Sequence, residues 1–124
     1  MIERRAARIR EAAAPMLKPG EEVRGVAEGI KVPTPLLRVP RFLVLTDRRL
    51  LVLGAPMWST RPRHLVAAAA LGSVGLDGFE VGAHITLRLR FPDRSVVVSL
   101  AAPWRREAER IREAVGRAGG EPPR

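Results

Sequence analysis

Ile85-Thr86-Leu87-Arg88-Leu89-Arg90-Phe91-Pro92-Asp93-Arg94-Ser95-Val96-Val97-Val98-Ser99-Leu100 is the stretch on which the fold turns. Ile85, Leu87, Leu89 and Phe91 alternate with Thr86, Arg88 and Arg90, so the apolar side chains fall on one face of a strand. After Pro92-Asp93-Arg94 the alternation resumes, with Val96, Val98 and Leu100 set against Ser95, Val97 and Ser99. The pattern predicts an antiparallel hairpin.

Toward the N-terminus, residues 71–79 read as a short strand that Gly72, Gly75 and Gly78 bend or bulge. Residues 64–70 are ambiguous, because four alanines favour helix while the surroundings favour strand. Residues 57–63 read as a loop. Arg41-Phe42-Leu43-Val44-Leu45-Thr46 and Arg49-Leu50-Leu51-Val52-Leu53 are short apolar runs joined through Asp47-Arg48. Their length and the breakers around them predict two buried strands in a tight hairpin. A loop over residues 31–41, stiffened by Pro33, Pro35 and Pro40, precedes them, and a compositionally weak strand covers 22–29.

Helices frame these strands. Ile2, Ala6, Ile9, Ala13 and Met16 make a narrow stripe along residues 2–16, which Lys18-Pro19-Gly20 terminates. Trp104, Ala108, Ile111 and Val115 make another along residues 103–116, where Pro103 suits the first turn. Residues 119–124 read as a disordered tail. The expected architecture is α+β, with about seven antiparallel strands between an N-terminal and a C-terminal helix.

The chain has 124 residues, enough for one domain without metal or disulfide help. It has no cysteine, which excludes a disulfide framework, a thiolate nucleophile and Cys-ligated metal sites. No run of 18 apolar residues occurs and the N-terminus has no apolar signal core, so a cytoplasmic location is expected. Arginine makes up 20 of the 22 basic residues while Asn, Gln and Tyr are absent, which reads as codon bias.

The net charge of +9 is local. Residues 31–64 hold seven basic and one acidic side chain, a balance of +6, whereas residues 65–100 hold three of each. Catalytic chemistry is poorly supplied. His64 and His84 stand apart in no metal-binding pattern, Asp47 and Asp93 fall in predicted turns, and the glycines form no phosphate-binding spacing. Neither an enzyme nor a cofactor is expected.

Leu17-Lys18-Pro19-Gly20-Glu21-Glu22-Val23, the Phe42-Leu43-Val44-Leu45-Thr46-Asp47-Arg48-Arg49-Leu50-Leu51-Val52-Leu53 hairpin and a closing helix with Trp104 inside carry a resemblance. They resemble small bacterial pleckstrin-homology-like (PH/GRAM-type) proteins of unknown function. The resemblance implies a PH-like barrel over residues 17–118, plugged by the Trp104 helix, with residues 2–16 an addition. It also implies that the loops at 31–41, 57–63 and 92–94 project from one open end, the end at which the family's lipid binders hold head groups. The first strand carries Arg24 and Glu28 and does not reproduce the family's phosphoinositide pattern.

The residues expected to bind a ligand are therefore Lys31, Arg38, Arg41, Trp58, Arg61 and Arg63, with Leu36, Leu37 and Met57 beside them. A protein partner is the first expectation. The alternative is peripheral attachment to an anionic phospholipid surface at the inner face of the membrane, through arginines and inserted apolar side chains. Nucleic acid is expected to bind only weakly and without specificity, because aromatic residues are 4% of the chain and Trp58 alone is placed to stack.

Overall fold

The computed structural model describes residues 2–32, 38–56, 59 and 61–118. Helix α1 (Ile2–Ala13) ends in a 3-10 turn (Ala14–Met16) that Pro15 helps to start. Gly20, at a φ of +79°, then turns the chain into the sheet, a conformation that glycine adopts without strain. Seven strands follow: β1 (Val23–Lys31), β2 (Pro40–Thr46), β3 (Arg49–Gly54), β4 (His64–Ala70), β5 (Gly75–Val81), β6 (His84–Phe91) and β7 (Arg94–Ala101). A 3-10 turn (Ala102–Trp104) leads into the closing helix α2 (Arg105–Ala118).

The strands form one antiparallel sheet in the order β4-β3-β2-β1-β7-β6-β5. The expected seven strands and two helices are present, but the sheet is not closed into a barrel. β4 and β5 are its two edges and do not pair with each other. β1 holds the halves together, pairing with β2 along most of its length and with β7 only from Gly29 to Lys31.

Where β1 and β7 diverge, α2 completes the hydrogen bonding. Glu107 Oε1 accepts from the Val26 N–H at 3.2 Å, and Arg110 Nη1 donates to the Arg24 carbonyl at 3.1 Å. Backbone groups that a sheet leaves unpaired need other partners, and two helix side chains supply them here. Gly25 makes room, since a Cβ there would stand 2.9 Å from Glu107 Oε1. Trp104, Ala108, Ile111 and Val115 are buried, as the helical stripe predicts.

β2 and β3 are buried on both faces, which is why they read as unbroken apolar runs. One face lies toward the β5–β7 half, while α1 packs on the other face of β1 and β2 with Ile9 and Ala13 buried. β6 and β7 keep the expected alternation, with Ile85, Leu87, Leu89, Phe91, Val96, Val98 and Leu100 buried. The ambiguous segment 64–70 is a strand, since pairing with β3 outweighs the helical preference of its alanines. The strand expected over 71–79 opens instead with a 3-10 turn (Leu71–Ser73), and the irregularity expected at its glycines is a register shift between Leu76 and Gly78.

The two motifs that stood out in the sequence bond to each other. Arg49 donates to both oxygens of Glu21, at 2.9 and 2.8 Å, and the Thr46 hydroxyl donates to Glu21 Oε2 at 2.6 Å. The Lys18 N–H donates to Glu21 Oε1 at 2.8 Å, and Arg49 also reaches the Met16 carbonyl at 2.9 Å. Beside them, the Glu22 N–H donates to Asp47 Oδ1 at 2.9 Å. These residues lock the chain's entry into β1 onto the β2–β3 turn.

Candidate functional site

At the end of the sheet away from that turn, Lys31 closes β1, Arg41 lies near the start of β2 and Arg94 opens β7. Each is in phase with its strand's inward residues: Lys31 with Ala27, Arg41 with Leu43 and Leu45, and Arg94 with Val96 and Val98. The core's apolar layers therefore give way to a cationic one at this mouth. Together with Val32, Val66, Ser95, Val96 and Val97 these cations line a cleft of about 280 Å³.

Arg41 is the most constrained of them. It is half-buried, and Nη1 donates to the Pro40 carbonyl at 2.9 Å. Burial pulls its guanidinium pKa below the ordinary value. Gly54 of β3, opposite Arg41 of β2 and His64 of β4, lets both side chains cross it: a Cβ there would lie 3.0 Å from Arg41 Nη1 and 2.6 Å from His64 Nε2. Among the described residues, neither Arg41 nor Lys31 has a carboxylate within ion-pair distance. Arg94 has Asp93 at 3.6 Å, a pair exposed to solvent.

The remaining candidates disperse. Arg61 and Arg63 line a separate cleft of about 410 Å³ against α1, with Arg8, Glu11, Ala12 and Pro62. Arg38 is exposed just before β2. Trp58, Leu36, Leu37 and Met57, like the tail over 119–124, fall outside the described residues. The single rim expected from the sequence thus separates into two clefts. Arg94 belongs to the site, and the signal for it was its phase with Val96 and Val98.

A larger groove of about 540 Å³ runs between the end of α2 and the β2–β3 turn, floored by Leu45, Leu71, Ala114 and Ala118. Its arginines are matched by carboxylates: Arg24 with Glu22 at 3.5 Å, Arg110 with Glu107 at 3.6 Å and Arg117 with Glu113 at 3.7 Å. The cleft at Lys31, Arg41 and Arg94 differs, since two of its three cations have no carboxylate within ion-pair distance among the described residues. Among the described residues no group of three or more His, Asp or Glu stands together as a metal site. No helix among them is long and apolar enough to cross a membrane.

No protein-family model matches the chain, and no curated protein matches it. Among solved structures it is similar to the hSac2 domain from human phosphoinositide phosphatase Sac2, at a TM-score of 0.57 and 14% identity. The match covers 90% of this chain and 80% of that one, and at this identity it is a likeness of fold.

Proposed function

We propose that the chain is a non-catalytic binding module of the pleckstrin-homology-like type, which holds a partner protein by an acidic group seated between Lys31, Arg41 and Arg94. The open seven-stranded sheet with its closing helix, and the likeness to the hSac2 domain, support the PH-like assignment. The observation that carries the binding role is Arg41, a half-buried guanidinium with no carboxylate partner among the described residues. A buried cation is costly until an anion meets it, and a guanidinium suits a carboxylate or phosphate through two parallel bonds. A cleft of about 280 Å³ takes one such group, not a large ligand. The recessed charge of Arg41, beside the exposed Lys31 and Arg94, favours a group that enters the cleft, whereas a flat anionic membrane is served as well by exposed arginines.

The test compares a labelled glutamate-rich peptide with vesicles of phosphatidylcholine and phosphatidylserine, both at physiological ionic strength. Lower salt would let the +9 charge hold any polyanion. Peptide binding should weaken about tenfold or more in Arg41→Ala, as expected when a charged hydrogen-bond donor is lost. Peptide binding indifferent to Arg41 overturns the assignment, and salt-resistant vesicle binding that needs Arg41 replaces it with the membrane reading.

A further inference from the structure

The two edges of the sheet are built differently. Both have a register irregularity, between Leu76 and Gly78 on β5 and at Val66 on β4, so the difference lies in charge: β5 carries Asp77 and Glu80. Arg90 pairs with Asp77 and Arg88 with Glu80, so charged side chains lie along this edge. Charges of this kind keep an edge from accepting another strand. β4, His64-Leu65-Val66-Ala67-Ala68-Ala69-Ala70, has no Lys, Arg, Asp, Glu or Pro. Only Ala67 is buried there, and Leu65 is 50% exposed, one of two large apolar side chains so exposed among the described residues.

Its outward backbone groups also lack a strand partner among the described residues. Leu71 N–H donates to the Arg48 carbonyl at 2.9 Å, which fixes the alternation of the β3–β4 ladder. Ala67 and Ala69 then face β3, and Ala68 and Ala70 turn their N–H groups to the open edge. Only β3 pairs with β4 among the described residues. Val66, near the start of this strand, lines the cleft with Lys31, Arg41 and Arg94.

We infer that β4 is the edge to which an extended segment of the partner protein adds as an eighth strand, its acidic end lying in the Lys31–Arg41–Arg94 cleft. The inference rests on the binding role proposed for that cleft and supplies its mode: main-chain bonds give affinity, and the cleft selects charge. Charge complementarity favours an acidic partner over a second copy of this chain, which would bring another +9 and the same cationic mouth to the contact.

The probe is a peptide of alternating valine and threonine flanked at both ends by glutamates, compared with its lysine-flanked and N-methylated forms. Binding is read by fluorescence anisotropy, and edge pairing by hydrogen exchange of the Ala68 and Ala70 amides. The glutamate form is expected to bind and to slow those two amides at least about tenfold, with both effects lost on N-methylation and binding weakened in Arg41→Ala. Ala68→Pro, which removes an outward N–H while sparing the β3 ladder, should abolish binding and keep the native circular dichroism. If that variant fails to fold, the N-methylated peptide asks the same question of the unaltered protein. Binding that survives N-methylation but still needs Arg41 overturns strand addition and leaves the cleft assignment standing. Protection of Ala68 that is indifferent to Arg41, or to lysine in place of glutamate, overturns the acidic partner. Slowing of the same amides with protein concentration alone assigns the edge to a second copy and overturns the inference.

Discussion

Glu21 and Arg49 form a two-point ion pair at 2.8 and 2.9 Å, and the Glu21 side chain has no exposure to solvent. Thr46 and the Lys18 N–H complete the carboxylate's shell. The pair therefore ties the turn before β1 to the β2–β3 hairpin. Pairs of this kind are costly to half-dismantle, because the surviving charge stays behind without its partner.

Glu21→Ala is accordingly expected to lower stability by about 3 kcal/mol. Joint replacement of Glu21 and Arg49 by apolar residues of similar size should cost less than the sum of the single changes. Urea unfolding of the two single variants and the double variant measures both the loss and the coupling.

Acid acts on the same carboxylate. The Arg49 hydrogen bonds hold the Glu21 pKa down, from an ordinary 4.5 to about 2. A depressed folded-state pKa gives stability that is fully present above the unfolded value and is lost as pH falls toward the folded one. The urea midpoint should fall between pH 4.5 and pH 2. Glu21→Gln should flatten this group's part of the slope, and an unchanged slope in that variant would place the acid sensitivity elsewhere.

At the junction of α2 and β1, Glu107→Ala leaves the Val26 N–H without its acceptor. A loss of about 1.5 kcal/mol is expected, the usual scale for a hydrogen bond to a charged group. Amide exchange should quicken at Val26 more than at Val44, which lies across from it on β2. Equal quickening at both amides would mean that the whole sheet had loosened.

Two glycines should respond in opposite directions to alanine. At Gly29 a Cβ would press on the Ser99 carbonyl and stand 2.6 Å from Leu100 Cδ2, where β1 meets β7. Gly29→Ala should cost about 1–3 kcal/mol. Gly116 lies inside α2 with nothing within 4 Å of an added Cβ, so Gly116→Ala should stabilise by about 0.5–1 kcal/mol. Melting temperatures of the two variants, on either side of the native value, check the pair.

Arg41 should behave as a binding residue and not as a structural one. Its burial is offset by a single carbonyl contact, so Arg41→Met is expected to unfold no earlier in urea than the native chain. A marked loss of stability would instead make Arg41 part of the framework.

The sequence made some elements plain because a single physical signal governs them. Strict alternation from Ile85 to Leu100 reports a strand pair with one buried face, and the Trp104–Val115 stripe reports a helix with one buried side. Residues 64–70 were not legible, because local preference and long-range pairing with β3 oppose each other there. Nor was the open sheet: alternation fixes which face of a strand is buried but says nothing of whether the first and last edges meet. Lys31 and Arg41 stood out as charge, and the structure gathers them with Arg94. It turns Arg61 and Arg63 toward α1 because the bend that carries them packs beside that helix.

The reach of α2 back to β1 also bears on the order in which the molecule can form. Val26 and its acceptor Glu107 are 81 residues apart, and Arg24 and Arg110 are 86 apart. As the chain leaves the ribosome, β1 can pair with β2 almost at once, while its other margin waits for nearly everything that follows. The hairpins can gather early, but the two halves of the sheet meet only when β7 reaches β1, and the rest of that margin is covered only when α2 arrives. Contacts of such separation slow folding, so the half-assembled sheet, with the margin of β1 still open, is the species that a nascent chain must keep from its neighbours.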